Sequence, residues 1–120
     1  MIRKCIYAVL LTMLILPLQS FTVVVDAGHG GHDVGAVGLA TGLQEKDLNL
    51  AVAKSLAAKI QAKYPEVKVV LTRDTDIFLP LQERADIVNK CKDNAKLFIS
   101  IHTNAADNRN AKGAETFILG

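Results

Sequence analysis

The sequence predicts an α/β domain with a mostly parallel central sheet flanked by helices, and two observations carry that prediction. Short β-branched or apolar runs alternate with longer stretches of helical period, in the order strand, helix, strand, helix, strand. Each of the three runs is followed at once by a polar cluster: Asp26-Ala-Gly-His29, Thr72-Arg-Asp-Thr-Asp76 and His102-Thr-Asn-Ala105. In a parallel sheet such turns share the carboxyl edge, where the ligand sites of open α/β sheets lie.

The first strand is the β-branched run from Phe21 to Asp26, stopped by Ala27-Gly28. From Gly28 to Gly42 the chain carries six of its eight glycines, the composition of a long shaped loop whose backbone can adopt positive φ. A helix is predicted from Glu45 to Tyr64, with Leu48, Ala51, Val52, Leu56 and Ile60 on one face and Pro65 just beyond its end. Val67 to Leu71 reads as the second strand. Leu81 to Cys91 reads as a second helix with Leu81, Ala85, Val88 and Cys91 on one side. Leu97 to Ile101 is the third strand, and Ala114 to Leu119 is expected to form a fourth.

At 120 residues the chain has room for one small domain and a modest core. Residues 1–20 differ from the rest. Arg3 and Lys4 precede a run from Cys5 to Leu18 that is apolar apart from Thr12 and Pro17, with Gln19-Ser20 as a polar exit. That is the pattern of a secretory signal peptide, leaving a mature domain over residues 21–120. The run falls short of the roughly 20 apolar residues that a membrane span needs, so no stable span is expected after cleavage. Export to the periplasm or cell envelope follows.

Removing Arg3 and Lys4 leaves twelve basic residues against twelve acidic ones, so no basic patch argues for nucleic acid. Cys91 is then the one remaining cysteine, which excludes an intramolecular disulfide, and its place at a helix end suits a buried thiol. Trp is absent, so a carbohydrate cleft cannot rest on Trp stacking.

All three histidines lie at or just after strand ends: His29 and His32 after the first, His102 after the third. Two histidines and a carboxylate, with a fourth position open, form the ligand set of a catalytic zinc site. Such a metal polarises a carbonyl and acidifies water, which suits amide hydrolysis. Glu45 is a candidate carboxylate because it opens the first helix directly after the glycine loop; Asp47, Asp33 and Asp26 compete with it. Asp26 is expected to orient a histidine from behind, and Asp33 to be solvated.

Four blocks sharpen the reading: Val-Val-Val-Asp-Ala-Gly-His-Gly-Gly (23–31), Leu-Gln-Glu-Lys-Asp-Leu-Asn-Leu (43–50), Thr-Arg-Asp-Thr-Asp (72–76) with Leu81, Arg84 and Asn89, and Ser-Ile-His-Thr-Asn-Ala (100–105). In this order they resemble the zinc-dependent N-acetylmuramoyl-L-alanine amidases of bacterial cell walls, over essentially all of Phe21 to Gly120. The resemblance implies Zn2+ as cofactor, held by His29, Glu45 and His102, and peptidoglycan as substrate, cut at the amide between N-acetylmuramic acid and L-alanine. His32 matches no ligand of that family. Arg73, Asp74, Asp76 and Arg84 are expected to stabilise a turn by mutual ion pairs and to cap the second helix. Asn104 is expected to hold the His102 loop.

The family's pattern includes a further catalytic glutamate well downstream of the second histidine. The chain to Gly120 is expected to lack it: Glu115 is the only glutamate after His102, and its setting in Gly-Ala-Glu-Thr-Phe-Ile is that of a strand residue. The residue that carries proton transfer is therefore left unassigned. The chain reads as the N-terminal, incomplete portion of a catalytic domain that hydrolyses peptidoglycan poorly or not at all. The competing classes are a peptidoglycan-binding or regulatory module that uses the same cleft without turnover, and a zinc hydrolase of a soluble peptide.

Overall fold

The computed structural model describes residues 21–91, 94–106, 108 and 110–118, so the predicted signal segment lies outside the described residues. Five elements follow one another: β1 (Thr22–Ala27), α1 (Glu45–Lys63), β2 (Lys68–Leu71), α2 (Leu81–Lys90) and β3 (Ala95–Ile101). The strands form a parallel sheet in the order β2-β1-β3. Val25 pairs with Leu71 on one side and Ile99 on the other, and Ala27 pairs with Ile101. β1 is buried along its whole length. That is why its sequence is a continuous β-branched run with no alternation of apolar and polar residues. The carboxyl ends of all three strands lie at one edge, as expected.

Alternate residues of β1 serve opposite faces. Val23, Val25 and Ala27 pack with Ala53 and Val67, flanked by Leu50, Leu56, Ile60, Val69, Leu71, Ile99 and Ile101. α1 therefore covers this face. Its acidic first turn, Glu45 and Asp47, and its last-turn Lys63 suit the helix dipole, and it ends two residues before Pro65.

The face that α1 buries matches the predicted one at Leu56 and Ile60, which pack against the core, and differs elsewhere. Its buried residues are Glu45, Asn49, Ala53 and Ala57, one every fourth position, whereas Leu48 and Val52 stand 37% and 50% exposed. Two physical reasons combine. The small Ala53 and Ala57 let the helix come close to the sheet, and Glu45 and Asn49 turn inward because polar partners wait at the strand ends. Apolar periodicity cannot register polar residues that point inward.

α2 departs in the same way. Its buried residue is Arg84, which reaches Asp26 across the opposite face of β1. Leu81 is 85% exposed, and Leu81, Ala85 and Val88 border an open cavity of about 700 Å³ together with Phe98. Cys91 caps the helix as a half-buried free thiol.

The predicted fourth strand is not formed over residues 114–118, and Leu119 lies outside the described residues. Phe117 and Ile118 are each 86% exposed. An apolar run becomes a strand only when a neighbouring edge accepts its backbone hydrogen bonds, and this segment joins no ladder in the described structure.

Candidate metal centre

Three short connections build the site. Gly28 continues β1, and its N–H donates to the Ile101 carbonyl of β3 at 3.0 Å, which draws the starts of the His29 and His102 loops together. A Cβ on Gly28 would collide with the His102 imidazole, so only glycine permits this approach. His29 itself takes φ 61°, the left-handed region that a residue with a Cβ rarely occupies. Gly35, at φ 66°, folds the loop back onto Glu45; a Cβ there would lie 2.7 Å from both Glu45 Oε2 and His29 Cδ2.

Glu45 is 6% exposed and fully bonded. Oε2 accepts the Ala36 N–H at 2.9 Å, and Oε1 accepts the Thr103 N–H at 2.9 Å and Asn49 Nδ2 at 3.4 Å. Burial pushes its carboxyl pKa up, but these donors, helped by the charge of His29, hold it below the ordinary glutamate value. The group is thereby kept as a carboxylate, the form that can bind a cation.

His29 Nε2 lies 3.3 Å from Glu45 Oε2, and His102 Nδ1 lies 3.2 Å from Glu45 Oε1. The two imidazoles meet edge to face, with centroids 4.9 Å apart. One ligand atom from each of His29, Glu45 and His102 falls within 4.8 Å of the others. On its far side His29 Nδ1 stands 2.9 Å from Asp33 Oδ2. A carboxylate only accepts, so the Asp33 contact places a proton on Nδ1 and leaves Nε2 as the ring nitrogen that faces Glu45. Two acceptors facing each other at 3.3 Å require a cation or a proton between them. One ion could be reached by a single donor atom from each residue, since the three lie within 4.8 Å of one another and two imidazoles with a carboxylate are a common ligand set for such an ion. The donor set thus fits a divalent metal.

Around this trio lies a buried polar frame. Asp26 accepts Thr72 Oγ1 at 2.7 Å, Ser100 Oγ at 2.7 Å and Arg84 Nη1 at 2.6 Å. Burial pushes the Asp26 carboxyl up, but the bonds from Ser100, Thr72 and Arg84 and the Arg84 charge outweigh it and hold the pKa below the usual carboxylate range. Asp26 therefore ties the three strands to α2 and orients no histidine; Asp33, expected to be solvated, takes that role. The Asp33 carboxyl is lowered first of all by its bond with His29.

Arg73 and Arg84 do not form a mutual ion-pair turn with Asp74 and Asp76. Arg73 donates to the carbonyls of Ala27, Gly28, Lys46 and Thr75. Arg84 donates to Asp26 and to the carbonyls of Ala27, His29 and Leu79. Desolvation, together with the nearby Arg84 charge, lowers the pKa of Arg73. Asp76 instead takes the Gly31 N–H at 2.8 Å and Lys46 Nζ at 2.7 Å. No side-chain bond caps α2.

Sequence reasoning missed Asn49, which is fully buried and donates to the Gly28 carbonyl and Glu45 while accepting Thr103 Oγ1 at 2.8 Å. Its spacing four residues after Glu45 was the available signal, since i and i+4 share a helix face. The competing carboxylate Asp47 is exposed, in the first turn of α1. His32 is exposed and stacks on Phe78 with centroids 4.1 Å apart, outside the trio. Asn104 holds its own loop by accepting the Ala105 N–H at 3.0 Å.

Comparison with known proteins gives this arrangement its context. The family model for N-acetylmuramoyl-L-alanine amidase (Amidase_3) matches residues 23–119. The probable N-acetylmuramoyl-L-alanine amidase AmiB of Haemophilus influenzae is 38% identical over 98 residues, 82% of this chain and 22% of that protein. Among solved structures, the amidase AmiC2 of Nostoc punctiforme is 48% identical with a TM-score of 0.66, covering 74% of this chain and 47% of its own. The catalytic domain of CwlV from Bacillus (Paenibacillus) polymyxa is 41% identical with a TM-score of 0.69, covering 76% of this chain and 49% of its own. The chain thus spans about half of these solved relatives and about a fifth of AmiB. With the four blocks, the parallel sheet and a match over nearly all of residues 21–120, the chain belongs to the N-acetylmuramoyl-L-alanine amidase family.

Proposed function

We propose that residues 21–120 are the zinc-holding, N-terminal portion of a cell-wall amidase domain, exported by a signal peptide at residues 1–20 to the periplasm or cell envelope. His29, Glu45 and His102 are the ligands, and the substrate is the amide joining N-acetylmuramic acid to the L-alanine of the peptidoglycan stem peptide. The carrying observation is that His29 Nε2, on a ring oriented by Asp33, faces the Glu45 carboxylate at 3.3 Å beside His102. No helix among the described residues is long and apolar enough to cross a membrane.

Zn2+ in such a set supplies Lewis acidity toward the amide carbonyl and acidifies water enough for attack near neutral pH. The chain's own residues bind and orient. Glu45 would be held by the cation, while Asp33 is committed to the His29 ring and Asp26 to Arg84. We assign proton transfer to a carboxylate other than these three, consistent with the downstream glutamate of the family resemblance. The same commitment of nearby carboxylates favours a second reading, a peptidoglycan-binding or regulatory module that uses the cleft without turnover.

Zinc analysis tests the first part. One zinc per chain is expected, lost in His29→Ala and in His102→Ala; a metal-free wild-type chain, or one that keeps its zinc in both variants, refutes the ligand set. Product analysis on purified wall material tests the second. Weak or absent release of intact stem peptides is expected from residues 21–120 alone, and robust release refutes the assignment of proton transfer elsewhere.

A further inference from the structure

We infer that Arg84 is a positioning residue for His29, holding the His29 peptide in the left-handed conformation that aims its imidazole at Glu45; the inference rests on the metal reading above. Among the described residues His29 is the one non-glycine with positive φ, at 61°. Such a backbone persists only where its surroundings over-determine it.

Arg84 supplies that determination. Its Nη2 donates to the His29 carbonyl at 2.8 Å, Nη1 to the Ala27 carbonyl at 2.8 Å and to Asp26 Oδ1 at 2.6 Å, and Nε to the Leu79 carbonyl at 3.0 Å. The guanidinium is buried and planar, so these bonds are geometrically linked. Asp26 is in turn held by Thr72, just past β2, and by Ser100 of β3, each at 2.7 Å. The orientation of the His29 carbonyl is therefore referenced to all three strands. On the other side of that peptide, the Gly30 N–H donates to the Asp33 carbonyl at 2.8 Å.

Releasing the His29 carbonyl frees the backbone to relax toward negative φ, which turns the ring away from Glu45 Oε2. A lysine at position 84 offers a single point of donation and cannot span Asp26, Ala27, His29 and Leu79 together. Arg73 bonds the Ala27 and Gly28 carbonyls just before His29, and that of Lys46, but not that of His29, so it does not substitute.

The test compares Arg84→Lys with Val67→Ala in the full chain. Val67 is buried at the opposite end of the sheet, so its truncation destabilises without touching the site. Zn2+ affinity is read by competition with a chromophoric chelator, coordination by the visible spectrum of Co2+-loaded protein, and folding by thermal unfolding. Arg84→Lys is expected to weaken Zn2+ binding about 10–100-fold and to change the Co2+ bands. Val67→Ala is expected to lower the unfolding midpoint and change neither. Wild-type affinity and spectrum in folded Arg84→Lys overturn the inference, as does an equal loss in Val67→Ala. Should Arg84→Lys not fold, Asp26→Asn, which loosens the guanidinium's anchor, is expected to give the same change at smaller size, and an unchanged spectrum there overturns it. A wild-type chain that takes up neither ion removes the metal reading itself, and the inference with it.

Discussion

Asp33 Oδ2 lies 2.9 Å from Nδ1 of His29, four residues earlier in the same glycine-rich loop. Because the carboxylate fixes which ring nitrogen carries the proton, it also fixes which one can bind a cation. Asp33→Ala is expected to weaken zinc binding about 10–100-fold while leaving metal-free unfolding little changed, since the Asp33 side chain is 43% exposed. A chelator-competition titration checks this, and an affinity within twofold of wild type counts against it.

Gly28 and Gly42 separate two costs of adding a Cβ. At Gly28 the new atom meets the His102 ring, whereas at Gly42, with φ 69°, it meets nothing within 4 Å. Gly28→Ala is expected to reduce zinc content, and Gly42→Ala to cost about 1 kcal/mol of stability from backbone strain with zinc retained. Paired metal analysis and urea unfolding decide; equal zinc in the two variants contradicts the first claim.

Asp26 sets an acid-side limit on stability. Its folded pKa lies below its unfolded value, near 3.9 for aspartate, so between the two values the unfolded chain binds more protons. Its contribution is complete above the unfolded pKa and is lost as pH falls through the folded one. Urea unfolding in EDTA from pH 3 to pH 7 is expected to show a shallower acid-side slope in Asp26→Asn than in wild type. Asp26→Ala, which strands the buried Arg84, is expected to cost about 3–5 kcal/mol. Identical slopes in wild type and Asp26→Asn would falsify the role.

Asn49 is the buried joint between α1 and both histidine loops. Asn49→Ala removes a donor to the Gly28 carbonyl and to Glu45 and strips Thr103 of its acceptor. A loss of about 1–3 kcal/mol is expected in metal-free protein, from a buried network left partly unpaired. A urea midpoint unchanged from wild type speaks against it.

Metal and fold are linked by mass action. At free zinc 100 times its dissociation constant, wild-type stability is expected to rise by about 2.7 kcal/mol, and EDTA to reverse the gain. His102→Ala is expected to show no zinc-dependent shift in thermal unfolding. A shift in that variant equal to wild type would place the ion elsewhere.

The succession of strands and helices, the glycine loop and the polar cluster after each strand were legible in the sequence because their causes are local. A β-branched run stopped by Gly28, a helix opening at Glu45 and a histidine just past Ile101 each announce themselves within a few residues. The parallel sheet carries His29 and His102 to one side; Glu45 is one of four candidate carboxylates, and the trio is named together on the resemblance of the four blocks.

The orientation of that trio was decided by tertiary structure alone. Arg84 reaches His29 across 55 residues, Thr103 donates to Glu45 across 58, and Ser100 meets Asp26 across 74. These bonds depend on strand register and helix placement, and they send Arg84, Glu45 and Asn49 inward where apolar periodicity pointed to Leu81, Leu48 and Val52. The fourth strand shows the same limit from the other side. The apolar residues of 114–118 favour β structure locally, but only a paired edge turns that preference into a strand.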